Sequence, residues 1–277
     1  MINRKFAAAC AVLACLAGHA VAAETGTWVL TYENKSTNQL TWDHRMNSLV
    51  NTHLPAALAE KVGRALGGPP EPVVVVSNRY ASASACVPHS CLDKGFFWID
   101  TTTGASLGAS AIVGVSAAID GLLLGSYSLR ADTIPAPARA ALLDWLSENE
   151  IASTHVAFVG VDNVVTPIAA GDFQPRTRFT PQAGGPGFDC AAAHSAIETT
   201  ICADPALSRL DLDMQRRFDE GQRSYDTVPA RNERRALQRR WLKQRDSACG
   251  AATERVACLA HSYAVQTERL DNFLPSH

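Results

Sequence analysis

Cys86-Val87-Pro88-His89-Ser90-Cys91 places two cysteines around a central proline and histidine. A disulfide closing so few residues contributes about 2 kcal/mol on the loop-entropy account, too little to matter for global stability. Its effect is local, holding a small protruding loop in one shape while Pro88 fixes its own φ and restricts Val87. A loop ordered in advance can associate with another molecule without a large entropic cost. The rest of the chain reads as the frame that presents it.

The chain has 277 residues, 47% of them hydrophobic, and a formal net charge of −2. That is enough apolar material for one large core or two ordinary ones, and the near-neutral charge argues against a nucleic-acid partner. Residues 1–23 read as a signal peptide. Arg4 and Lys5 form its basic start, Phe6 to Leu16 its apolar run, and Ala20-Val21-Ala22 its small-residue cleavage site. Val12-Leu13-Ala14-Cys15 loosely resembles a lipoprotein site, but Leu13 fits it poorly. No later apolar run reaches membrane-spanning length without polar interruption. The expectation is a periplasmic or secreted protein with no membrane span, cleaved near Ala22.

Secretion decides how the cysteines are read. Cys86, Cys91, Cys190, Cys202, Cys249 and Cys258 remain after the leader, and in an oxidising compartment they read as disulfides rather than thiols. Their clustering favours Cys86–Cys91, Cys190–Cys202 and Cys249–Cys258, with exchange of partners between the last two pairs left open. Gly184-Gly185-Pro186-Gly187 marks a linker, because the composition changes there from β-type runs to arginine-rich helix. Two domains follow, 24–183 and 188–277, joined by 184–187. Residues 24–185 carry an excess of acidic side chains while 186–277 are balanced. An acidic first domain would be drawn to a cationic partner.

In the first domain, Thr27-Trp28-Val29-Leu30 reads as a strand. Trp42 to Leu54 reads as a helix, and Pro55 opens another that stops at Gly67-Gly68. Val73 to Val76 reads as a short buried strand. Phe96 to Asp100 and Ala105 to Ser116 read as strands joined by a turn at Thr103-Gly104. Leu122 to Leu129 follows as a further strand, then a helix over Pro137–Glu148 with Leu142, Leu143, Trp145 and Leu146 on its apolar side, then Val156 to Val161 as the final strand. The sum is an α+β domain, an antiparallel sheet with helices on one face.

The second domain reads as all-α and disulfide-stapled. Ser195 and Glu198 form a capping box for a short helix, and Asp204-Pro205 cap and open a second that runs to about Tyr225. Leu207, Leu210, Met214 and Phe218 recur on one face of it. A third helix over about Pro229–Ala248 presents Leu237, Trp241 and Leu242, and a fourth from Glu254 turns Leu259, Tyr263 and Leu270 inward. The basic run Arg231, Arg234, Arg235, Arg239, Arg240, Lys243 and Arg245 reads as the solvated face of the third helix.

Two family resemblances attach to these residues. Cys-x-Pro-His-x-Cys, preceded by Gly67-Gly68-Pro69-Pro70-Glu71-Pro72-Val73-Val74-Val75-Val76 and followed by Phe96-Phe97-Trp98-Ile99, resembles the inhibitor of vertebrate lysozyme family, Ivy, over residues 25–130. In that family the loop reads Cys-Lys-Pro-His-Asp-Cys and its histidine enters the lysozyme active site; here Val87 replaces the lysine and Ser90 the aspartate. The second motif set is Phe188-Asp189-Cys190, Glu198-x-x-Ile201-Cys202, Leu207-x-x-Leu210-Asp211, Gln238-x-x-Trp241-Leu242-x-x-Arg245-Asp246-x-x-Cys249 and Cys258-Leu259-x-x-x-Tyr263. It resembles the lysozyme-inhibitor LprI-like domain over 188–274.

The first resemblance implies inhibition of a lysozyme, of the c-type, by a loop of Cys86, Val87, Pro88, His89, Ser90 and Cys91. Lysozymes act through two carboxyl groups, and an imidazole has a nitrogen on each side of its ring with which to bond both. The reading is compatible with a homodimer and requires no cofactor. The plainer alternative is a structural staple in a non-inhibitory cell-envelope interaction module that acts through its helical domain. A metal reading of Cys86, His89 and Cys91 lacks a fourth ligand and the usual spacing. His53, His155, His194 and His261 have no partner legible in sequence. No catalytic residues are read: the chain has no Gly-x-Ser-x-Gly elbow, His-Glu-x-x-His, phosphate loop or Rossmann fingerprint, and nothing places Glu148 and Glu150 in one cleft.

Overall fold

Phe96-Phe97-Trp98-Ile99 occupies the middle of a seven-stranded sheet, and all four side chains are buried. The computed structural model describes residues 26–114, 121–176, 179–223 and 227–276; the expected leader, and the expected element ends at Ser116 and Tyr225, lie outside them. Helices α1 (Thr37–Thr41), α2 (His44–His53) and α3 (Ala56–Leu66) precede the sheet. Ser36 and Asp43 accept hydrogen bonds from the first amides of α1 and α2, and Gly67 ends α3. Strands β1 (Val74–Val76), β2 (Tyr80–Val87), β3 (Ser90–Asp100), β4 (Ser106–Ile112), β5 (Gly121–Gly125), β6 (Val156–Val159) and β7 (Val165–Ile168) then lie side by side in chain order. Neighbours are antiparallel except β5 and β6, which are parallel because α4 (Ala136–Glu148) crosses between them.

Successive side chains on a strand point to opposite faces. Phe97 and Ile99 join Ala81, Ala83, Leu58, Val62 and Leu66 in one core, beneath α2 and α3. Phe96 and Trp98 join Leu107, Ala109, Leu124, Leu142 and Trp145 in a second, beneath α4. Helices therefore cover both faces, where the sequence suggested one. The physical reason lies in β3: a strand apolar at consecutive positions must be buried on both sides. Removing each such side chain from water contributes about 1.5–3 kcal/mol. On the α3 face the sheet has a glycine floor. A Cβ on Gly95 would stand 2.5 Å from Ala65 Cβ, and one on Gly108 2.5 Å from Leu54 Cδ1, so only glycine lets the helix come so close.

Three further expectations change. Thr27–Tyr32 is a 3-10 helix rather than a strand, with Val29 in the first core. β1 is an edge strand whose Val74 and Val76 are exposed, and of Val73–Val76 only Val73 is fully buried. β6 is not final, since β7 pairs with it beyond a turn containing Asn163 at positive φ. The span 131–176 thus completes the second core and the far edge of the sheet.

The C-terminal part consists of α5 (Ala196–Ala203), α6 (Pro205–Arg223), α7 (Val228–Cys249) and α8 (Arg255–Asp271). The Ser195/Glu198 capping box forms, Asp204 accepts from the amides of Ala206 and Leu207, and Thr227 caps α7. Disulfides join Cys190 to Cys202 and Cys249 to Cys258. Ile201, Leu207, Met214, Trp241, Leu259 and Tyr263 form its core. The basic run is not a solvated face throughout. Arg231, Arg234 and Arg245 are buried, while Arg239, Arg240 and Lys243 are exposed. Arg245 donates to the Tyr263 hydroxyl and to Asp246, which explains how a cation stays inside.

Candidate functional site

The tip of the β2–β3 hairpin holds the six residues singled out above, Cys86 to Cys91. Val87 faces Ser90 across the strands, leaving Pro88 and His89 as the two central residues of the turn. Proline in the first central position and a left-handed residue in the second is the pattern of a type II turn. His89 takes that second position with φ 61°. Non-glycine residues seldom adopt such a φ, though histidine is among those enriched there.

Below the turn the register shifts. Cys86 lies opposite Lys94 and Val87 opposite Ser90, so β3 carries additional residues on its side of the tip. This bulge brings Cys91 back towards Cys86, and the two sulfurs are bonded across Cα atoms 4.7 Å apart. The last rung shared with β4 is Asp93 opposite Ile112, so the turn lies beyond the paired body of the sheet. Cys86 is buried; Pro88, His89, Cys91 and Leu92 are exposed. The His89 imidazole has no hydrogen-bonding partner among the described residues and faces solvent.

The other predicted residues divide by role. Val87 and Ser90 are half-buried, and the Ser90 hydroxyl donates to Asp93 Oδ2 at 3.2 Å, so it is already engaged within the tip. Asp93 also lies 3.9 Å from Arg64 at the end of α3. Cys190, Cys202, Cys249 and Cys258 all belong to the helical part, where they staple it. With both tip sulfurs joined, neither is a thiolate, and no three metal-ligating side chains gather among the described residues. His53 directs Nδ1 to the Leu49 carbonyl at 2.9 Å, whereas His155, His194 and His261 are exposed. Among the described residues no helix is long and apolar enough to cross a membrane. No protein-family model matches the chain, and no curated protein or solved structure matches it either.

The sequence did not reveal what holds the root of the tip. Gly68 packs its backbone directly against Cys86, and the segment after it runs beside β2: Pro70 bridges to Ala85, and the Glu71 amide donates to the Ser84 carbonyl at 3.3 Å. The Glu71 carbonyl in turn accepts from the Thr37 amide and hydroxyl, at 2.9 and 2.8 Å. In sequence, Gly67-Gly68-Pro69-Pro70 reads as a helix stop and as part of the Ivy-like motif, with no structural task assigned to it. Its work is to lie close to the loop, which a side chain at Gly68 would prevent. A separate cavity of about 360 Å³ lies between Tyr127–Ala131 and the β6–β7 turn; Ser128, Arg130 and Asp162 line it among apolar side chains, with no histidine or cysteine.

Proposed function

We propose that this protein is a periplasmic or secreted inhibitor of lysozyme, of the c-type, that occludes the active site with the Cys86–Cys91 loop. The observation that carries this reading is His89, exposed and unpartnered at the apex of a disulfide-closed turn. A retaining glycosidase holds its two carboxyl groups roughly 5–5.5 Å apart, one protonated and one ionised. A neutral imidazole offers a donor on one nitrogen and an acceptor on the other, and so meets both groups at once. Substrate is then excluded, and nothing is turned over. The short ring and Pro88 supply preorganisation, so little entropy is lost when the tip enters a cleft. Three disulfides suit an oxidising compartment.

The test is direct. Purified protein at molar excess should slow the clearing of a cell-wall suspension by a c-type lysozyme, and replacing His89 should remove the effect. If the wild-type protein leaves lysis unchanged, the inhibitory reading fails. The alternative, an envelope-interaction module acting through the helical part, would then stand in its place.

A further inference from the structure

We infer that the helical domain braces the His89 hairpin, and that Arg231 is the positioning residue through which it does so. The functional half of this inference rests on the inhibitory reading above; the mechanical half does not. Arg231 lies on the first turn of α7, 160 positions along the chain from Glu71, and is 9% exposed. Its Nη2 donates to the Pro70 carbonyl at 2.6 Å, and its Nη1 reaches the Glu71 carboxylate at 3.2 Å. The neighbouring Asn232 donates to the Asn34 carbonyl at 2.9 Å, a second tie across the same seam.

The segment that Arg231 grips is poorly able to hold itself. Pro69, Pro70 and Pro72 lack amide hydrogens, so 68–72 cannot complete a regular ladder against β2. Its carbonyls need donors from elsewhere, and Arg231 supplies one to Pro70. Gly68, two residues before Pro70, lies so close to the loop that a Cβ on it would stand 1.8 Å from the Cys86 carbonyl oxygen and 2.8 Å from the nitrogen of Pro88. Arg231 thus holds a segment that bridges to Ala85 at Pro70 and, two residues earlier at Gly68, lies against the root of the turn.

Charge supports the same seam. Lys94, the register partner of Cys86, and Arg235, one turn beyond Arg231, both interact with Glu71. Burial pushes both cations below their ordinary pKa, for Arg235 together with the neighbouring Arg231 charge, and the Glu71 carboxylate opposes it. The half-exposed Glu71 carboxylate pairs directly with Arg231, and Lys94 and Arg235 lie within its electrostatic reach. A buried cation is a poor device for stability alone, because its desolvation offsets much of its pairing, but it selects one geometry. A guanidinium satisfies Pro70 and Glu71 together, which an ammonium on a flexible stem does not.

The experiment uses the full chain with Arg231→Met and Arg231→Lys. In the free protein, amide exchange across residues 84–91 should rise by on the order of tenfold in Arg231→Met, the effect of losing a hydrogen bond to a charged group, while the protection of α6 and α8 stays unchanged. Inhibition of lysozyme should weaken by a similar factor, and Arg231→Lys should recover part of both. A general role in stability would loosen the helical amides too. Unchanged exchange at 84–91 in both variants overturns the brace. If Arg231→Met fails to fold, Arg231→Lys, which keeps the charge but not the two-armed reach to Pro70 and Glu71, reads the same tie, and unchanged exchange at 84–91 there overturns the brace. If the wild-type protein does not inhibit lysozyme, the inhibitory reading falls while exchange still decides the brace.

Discussion

Gly68 lies so close to Cys86 that a Cβ at this position would stand 1.8 Å from the Cys86 carbonyl oxygen and 2.8 Å from the nitrogen of Pro88. Both neighbours are backbone atoms, which cannot swing aside. Gly68→Ala should therefore displace the root of the tip and cost about 1–3 kcal/mol, the range for overpacking. Gly63, inside α3 with open space around its Cα, is the contrasting site. Gly63→Ala should stabilise by about 0.8–1 kcal/mol. Urea denaturation of the two variants checks the opposite signs, and a neutral Gly68→Ala would refute the close contact.

His89 separates backbone from chemistry. A side chain at φ 61° costs about 1–2 kcal/mol that glycine avoids. His89→Gly should keep the turn and the melting temperature near those of the wild type while removing the imidazole. His89→Ala should keep the strain and lose the imidazole. Both should lose inhibition, and the glycine variant, free of the strain that alanine retains, should melt no lower than the alanine variant. Retained inhibition by His89→Gly would sink the role proposed for the ring.

Arg79 and Asp100 pin the opposite end of the same two strands. The guanidinium donates to both carboxylate oxygens, at 2.8 and 2.6 Å, and the Thr102 amide and Thr103 hydroxyl donate as well. The Arg79 hydrogen bonds, more than any other contact, hold the Asp100 carboxyl well below the usual range. The folded chain thus takes up this proton less readily than the unfolded chain. The contribution to stability is whole above the unfolded value, about 3.9, and is lost as pH falls below it. Urea midpoints between pH 6 and pH 2 should drop at the acid end, and Asp100→Asn should flatten that drop. An equally steep drop in Asp100→Asn would contradict the assignment.

Tyr263 ties the helical core together. Its buried hydroxyl donates to Asp211 Oδ1 at 2.7 Å and accepts from Arg245 at 3.1 Å, while Asp211 Oδ2 accepts from the Gly187 amide at 2.8 Å. Burial, then the Asp211 charge, pushes the phenol far above its ordinary range. Tyr263→Phe should cost about 1–3 kcal/mol, because two buried charged groups each lose a partner. Thermal melts of the full chain measure it, and a loss below experimental error would show that the network carries no net stability.

Much of the local architecture was legible because its causes are local. Ser195 and Glu198 cap α5 from three residues apart, Pro55 and Gly67 bracket α3, and each disulfide closes over at most twelve positions. The turn at Pro88-His89 was legible for the same reason. What lay out of reach was anything set by a distant neighbour. The unbroken apolar run Phe96–Ile99 fits a strand buried on both faces, but does not say which helix covers each. The valines of β1 read as core until their place at the sheet edge exposes them.

By itself, then, the sequence determined a stiff, cystine-closed loop on an α+β frame, followed by a stapled helical part, because propensity, capping and ring closure act over a few residues. Only the tertiary structure decided that α4 takes the second face of the sheet and that Arg231 reaches Pro70 and Glu71, in the segment beside β2. Burial and ion pairing depend on which surfaces meet, and Glu71 and Arg231 meet only once both parts have folded.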